Sequence, residues 1–147
     1  MNEKIVRDIL LQIVQAMLYC HSRGVVHRDL KLENVLFKNE NYEDDFFVKV
    51  VDFGIAGVGG DKVDAGTLLY MAPECLEKDG CTSPAMDVWA IGIMFYTMLY
   101  GTLPFTKSDE KELIKSIKTD EIKFNPKIPV TNEAKDALKR LLHKDHK

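Results

Sequence analysis

Cysteine is scarce in this chain. Three thiols in 147 residues, Cys20, Cys75 and Cys81, are odd in number and lack the paired spacing of a metal centre. That usage implies free thiols in a reducing, intracellular compartment, here the cytoplasm, and Cys20 falls in a helical pattern as a core residue. Long apolar runs are absent as well. The longest, residues 88–100, falls short of the ~20 residues that span a bilayer. Gly101 and Pro104 follow it, so it reads as a buried core helix and no membrane partner is expected. Nor is there an excess of charge of one sign. The 20 basic and 23 acidic side chains leave a net charge of -3, too small to imply binding to nucleic acid or to an anionic membrane. Met1-Asn2-Glu3-Lys4 begins no basic, apolar, small-residue succession of the signal-peptide kind, and no internal repeat or low-complexity tract occurs.

What is present suits one folded domain: 46% of residues are apolar and 29% charged, in a length that supports a single hydrophobic core. Ile5, Ile9, Ile13 and Met17 fall on one helical line with Val6, Leu10, Val14 and Leu18 beside it; Asn2 is the expected N-cap and Gly24 the expected stop. Val25-Val26, residues 35–37 and residues 47–51 read as short strands. Residues 39–45 form an acidic connector without the spacing or central glycine of a calcium loop. Residues 55–66 are glycine-rich and without period, hence a loop. Pro84 suits the first turn of a helix that continues through Trp89 to about Tyr100 and is apolar all round. Two amphipathic helices follow. Ser108 is expected to cap the first, with Asp109 and Glu110 placed against its dipole. The second follows Thr131 and carries Ala134, Ala137, Leu138, Leu141 and Leu142 on one stripe. Short strands followed by a run of helices predict a mainly α fold with a small β element.

Chemistry concentrates early. His27-Arg28-Asp29-Leu30-Lys31-Leu32-Glu33-Asn34 matches H-R-D-L-x-x-x-N at every specified position. Asp52-Phe53-Gly54 follows on a strand, and Ala72-Pro73-Glu74 comes after the glycine-rich loop. Singly, such motifs are usually strand ends and turns. Together, in this order and at these intervals, they are very hard to obtain by accident. Over essentially its whole length the chain resembles the eukaryotic protein kinase family, of serine/threonine type. The resemblance implies the C-terminal lobe of a kinase catalytic domain across residues 1–147, with catalytic loop 27–34 and activation segment 52–74, and with the N-terminal β lobe absent. Leu32, Tyr19-Cys20-His21 and Gly101-Thr102-Leu103-Pro104-Phe105 resemble the calcium/calmodulin-dependent and related kinases.

Phosphoryl transfer needs positioning and charge neutralisation more than covalent participation by the protein. By resemblance, Asp29 orients the substrate hydroxyl and takes its proton. Asn34 and Asp52 supply oxygen ligands for Mg2+, and Lys31 sits near the transferred phosphate of ATP. Thr67 hydrogen-bonds Asp29 and Lys31, and Leu36 forms the floor of the adenine pocket, a description that an ordinary core leucine shares. Glu33 counts with these cleft positions; it stands where an arginine upstream of a Ser/Thr acceptor is met, or else satisfies local backbone. His27 and Phe53 resemble the lower members of the hydrophobic spine. Asp87 resembles the buried acid that accepts backbone N–H groups of the catalytic loop.

Two further absences bear on this resemblance. No Ser, Thr or Tyr lies between residues 52 and 66, so Arg28 is expected to meet Asp61 or Asp64 in place of a phosphorylated residue. No G-x-G-x-x-G occurs, and residues 141–145 resemble the approach to an arginine that pairs with Glu74 in this family. The chain alone is therefore expected to transfer no phosphate without its N lobe. A free-standing lobe that binds kinase partners or substrates without catalysis is the other reading.

Overall fold

A computed structural model of the chain describes residues 3–27, 30–37, 48–50, 70–73 and 84–143. In chain order these form helix α1 (Glu3–Ser22), a 3-10 turn (Leu32–Asn34), strands β1 (Val35–Phe37) and β2 (Val48–Val50), and helices α2 (Pro84–Tyr100), α3 (Glu110–Thr119) and α4 (Asn132–Leu141). They are mostly helical, with one two-stranded antiparallel sheet, as the patterning predicts. Asn2, Val51, residues 39–45 and residues 55–66 lie outside the described residues.

The all-apolar segment becomes the central helix. Pro84 opens α2 at a position where a missing N–H costs no hydrogen bond. Twelve of the 17 residues of α2 are buried, on every side. Trp89, Ile93 and Met94 are fully enclosed, with α1 and α4 both packed against the helix. At Gly92 an added Cβ would lie 2.8 Å from Leu142 Cδ2 and 3.0 Å from Leu141 Cβ. The missing side chain is what lets the end of α4 approach α2 so closely.

In α1 the buried line is Val6, Ile9, Ile13 and Met17, while Ile5, Leu10 and Val14 lean on its edge. Leu18, expected beside that stripe, is instead 63% exposed. A strict four-residue spacing overshoots one turn of 3.6 residues by about 40° per step. By Leu18 the second line has therefore rotated away from α2.

Two other local expectations shift. Val25-Val26 forms no strand: the Val25 N–H donates to the Cys20 carbonyl at 2.9 Å, so this stretch closes α1 and does not join a ladder. The N-cap of α3 is Asp109, not Ser108, and its side chain makes no capping hydrogen bond. The apolar register of Leu113 and Ile117, both buried, decides where this helix begins. Thr131 caps α4 as expected, its Oγ1 accepting from Ala134 N–H at 3.2 Å. Both carboxylate oxygens of Glu3 accept from Thr131, one from Oγ1 and one from the backbone N–H, tying the start of α1 to the start of α4.

Along the sheet Val35 pairs with Val50, Leu36 with Lys49 and Phe37 with Val48. Val35, Val48 and Val50 lean on the core, and Leu36 and Lys49 face outward, the alternation of a half-covered hairpin. Cys20 is partly buried against the core, as read from the sequence. Among the described residues no helix is long and apolar enough to cross a membrane.

Candidate functional site

The site is built from the end of α1, the start of α2 and the turn that leads into the hairpin. α1 stops because Gly24 adopts φ +75°, which bulkier residues rarely adopt. The N–H groups of Arg23 and Gly24 close on the carbonyls of Cys20 and His21, each at 3.0 Å. The chain then reverses and delivers His27, which is fully buried.

Asp87, in the first turn of α2, is 1% exposed. Its Oδ2 accepts the backbone N–H of His27 at 2.8 Å and lies 2.9 Å from His21 Nε2. With donors converging on one oxygen, Asp87 acts as acceptor, which places a proton on His21 Nε2. A buried carboxylate needs such partners, since an unsatisfied one is costly. The chain entering the catalytic-loop motif is thus fastened at its first residue to the central helix. Trp89, two residues on, is buried and stacks on Phe105 with ring centroids 6.1 Å apart.

Beyond buried Leu30, Lys31 takes an extended conformation and opens the 3-10 turn. The Asn34 N–H returns to the Lys31 carbonyl at 2.9 Å, and Asn34 is buried immediately before β1. Glu33 is exposed and Tyr70 is buried within reach of its charge. Burial first, and then the negative charge of Glu33, hold the Tyr70 proton above the ordinary tyrosine range, while a hydrogen bond with the Leu32 backbone pulls the other way. Leu36 is 51% exposed, so its surface is open where an ordinary core leucine would be covered. Ala72 and Pro73 are buried close in sequence to Tyr70.

The structure therefore describes Lys31, Glu33, Asn34 and Leu36 on one turn and the strand that follows it, with His27 preceding them in the chain and held by Asp87. Asp29, Asp52 and Thr67 lie outside the described residues, as do Arg28, Phe53, Asp61, Asp64 and Glu74. Two contributors carry no motif in the sequence. His21, in the sequence only part of a subgroup pattern, meets Asp87 across 66 positions of chain. Gln12 belongs to no motif, and its Oε1 accepts the Val48 N–H at 2.9 Å. Polar residues at the margin of an apolar helical stripe are the one signal that could have marked either.

A family model described as "Protein kinase domain" matches residues 1–147. The probable serine/threonine-protein kinase fhkE of Dictyostelium discoideum is 37% identical over 145 residues, which cover 92% of this chain and 20% of that protein. NUAK family SNF1-like kinase 1 of Homo sapiens is 41% identical over 125 residues, covering 82% of this chain and 18% of that protein. The calcium/calmodulin-dependent protein kinase cmkB of Emericella nidulans is 38% identical over 144 residues, covering 92% and 35%. The chain spans about a fifth of the length of the first two and about a third of the other.

Proposed function

Since this chain belongs to the protein kinase family, we propose that it is the C-terminal-lobe part of a serine/threonine kinase catalytic domain, working in the cytoplasm. Its part in the reaction is transfer of the ATP γ-phosphate to Ser/Thr hydroxyls of proteins. The observation that carries this reading is the anchoring of His27 N–H by buried Asp87, directly ahead of the turn that seats Lys31 and Asn34.

In that role Asp29 orients the acceptor hydroxyl and takes its proton, with Thr67 hydrogen-bonding Asp29 and Lys31. The ammonium of Lys31 offsets charge that builds on the transferred group. Asn34 and Asp52 are an amide and a carboxylate, hard oxygen donors that fit magnesium, which takes few protein ligands and completes its shell with water and phosphate. Asn34 and Asp52 would hold the ion, and it would supply positive charge to offset that of the phosphates. Exposed Glu33 suits a basic residue upstream of the acceptor, and the open face of Leu36 suits an adenine ring. Arg28 pairs with Asp61 or Asp64, so no phosphate on residues 52–66 is needed; phosphopeptide mapping that finds an activating phosphate there sinks this part.

The test is radiolabel transfer from ATP to a basic Ser/Thr peptide. It uses a polypeptide that joins this chain to a glycine-rich loop and strand lysine, alongside its Asp29→Asn variant. A loss of about 10³-fold in kcat is expected for the variant, the scale of general-base catalysis. Transfer that is absent from the parent, or equal in both, overturns the proposal in favour of a non-catalytic binding module. The 147-residue chain by itself is expected to transfer negligible label.

A further inference from the structure

Helix α1 carries two side chains that reach into the site's framework, nine positions apart. His21 meets Asp87, which holds His27. Gln12 reaches the other component, the hairpin: its Oε1 accepts the Val48 N–H at 2.9 Å, in strand β2, which packs on α1. At 1.5 Å per residue the two contacts stand about 13 Å apart along the helix axis. A single rigid helix therefore spaces the entry to the catalytic-loop motif from the hairpin that follows it.

The bond to Gln12 also reports the register of the hairpin. Val48 pairs with Phe37, and an amide that donates to Gln12 is turned away from β1. In an antiparallel ladder such outward amides alternate with inward ones. A slip of one residue would turn the Val48 amide inward, away from Gln12. It would also send Val48 and Val50 to the open face and Lys49 to the core. Gln12 thus disfavours a one-residue slip of the hairpin. Asn34 directly precedes β1, so the height of this turn relative to α1 follows from that register.

We propose that Gln12 is a positioning residue for Asn34. Through the Val48 amide it sets where the Asn34 side chain stands to receive a divalent cation. The inference rests on the kinase reading above, which makes Asn34 a metal donor. Side chains outside the first ligand shell commonly change metal affinity by 10- to 100-fold when replaced; Gln12 acts from further away, and the lower end applies.

The test uses the polypeptide of the phosphotransfer assay, with Gln12→Leu (bulk without an acceptor) and Gln12→Glu (acceptor retained). The probe is Mn2+ with ADP, followed by paramagnetic broadening of the Asn34 side-chain amide signal. Exchange of the Val48 amide is followed in parallel. Gln12→Leu is expected to speed Val48 exchange and to raise the half-maximal Mn2+ concentration about tenfold. Gln12→Glu is expected to restore both. In the assay itself, the Leu variant raises the Mg2+ requirement more than it lowers kcat at saturating Mg2+. A Leu variant that exposes Val48 but leaves the Mn2+ titration unchanged overturns the positioning role while the kinase reading stands. An Asn34 signal indifferent to Mn2+ in the parent overturns the metal assignment, and this inference with it.

Discussion

The two ends of α2 are held by different forces. From Trp89 onward its packing is mainly apolar: the buried line of α1 and the stripe of α4 lie against it, and its own Tyr100 ring meets Phe124, with the Tyr96 hydroxyl donating to the Lys123 carbonyl as a polar exception. At its first turn the decisive contacts are two hydrogen bonds to a single carboxylate oxygen. Apolar packing is nondirectional and scales with area, so it fixes that helices associate and leaves latitude in detail. A hydrogen bond at 2.8 Å to a buried partner allows little displacement. The packed end supplies most of the stability. The polar end supplies coordinates, and it is there that the candidate chemistry sits.

That contrast can be broken or sharpened by substitution. Trp89→Ala is expected to cause the largest loss of stability, about 3–5 kcal/mol by urea unfolding, because it empties the centre of the core. The loss should be global, with amide protection falling throughout α1 and α2. Protection lost only near His27 would show that the packed end does not carry the fold. Asp87→Ala comes next, about 1–3 kcal/mol, because it strands the His27 N–H in the interior. Its signature should be local, with His27 exchanging early and His21 losing its partner, and Asp87→Asn should recover much of the loss by keeping an acceptor oxygen. A uniform loss matching that of Trp89→Ala would erase the distinction. Gly92→Ala is expected to have the smallest effect, about 1 kcal/mol net, since crowding against Leu142 is partly offset by the better helix propensity of alanine. A stabilised variant would mean that the contact between α2 and α4 has slack.

The helices were legible because their cause is local. The cap at Thr131, the stop at Gly24 and the proline at position 84 each act within one turn, and the periods of α1 and α4 show in any short window. The hairpin was legible in Val35-Leu36-Phe37 and in Val48-Lys49-Val50. Val25-Val26 misled because β-branched residues resemble a strand wherever they stand, whereas here the backbone is used to close a helix. Ser108 misled because serine and aspartate cap equally well, and the choice between them rests on which residues of α3 reach the core. In the candidate site, the catalytic-loop motif identified Lys31, Glu33 and Asn34 without a structure, and the resemblance singled out Asp87 in advance. His21 and Gln12 could not be found that way. Their partners lie 66 and 36 positions away, and neither pair leaves a periodic trace.

By itself the sequence determined the family, the helices and the hairpin strands, and the presence of the catalytic-loop motif. All of these follow from side-chain chemistry and near-neighbour spacing. Only the tertiary structure decided which donors share the Asp87 oxygen, that Gln12 meets the Val48 amide, and that Gly92 is the place where α4 approaches α2. Such contacts join residues distant in the chain, and their partners are selected by how rigid elements pack, which no local pattern encodes.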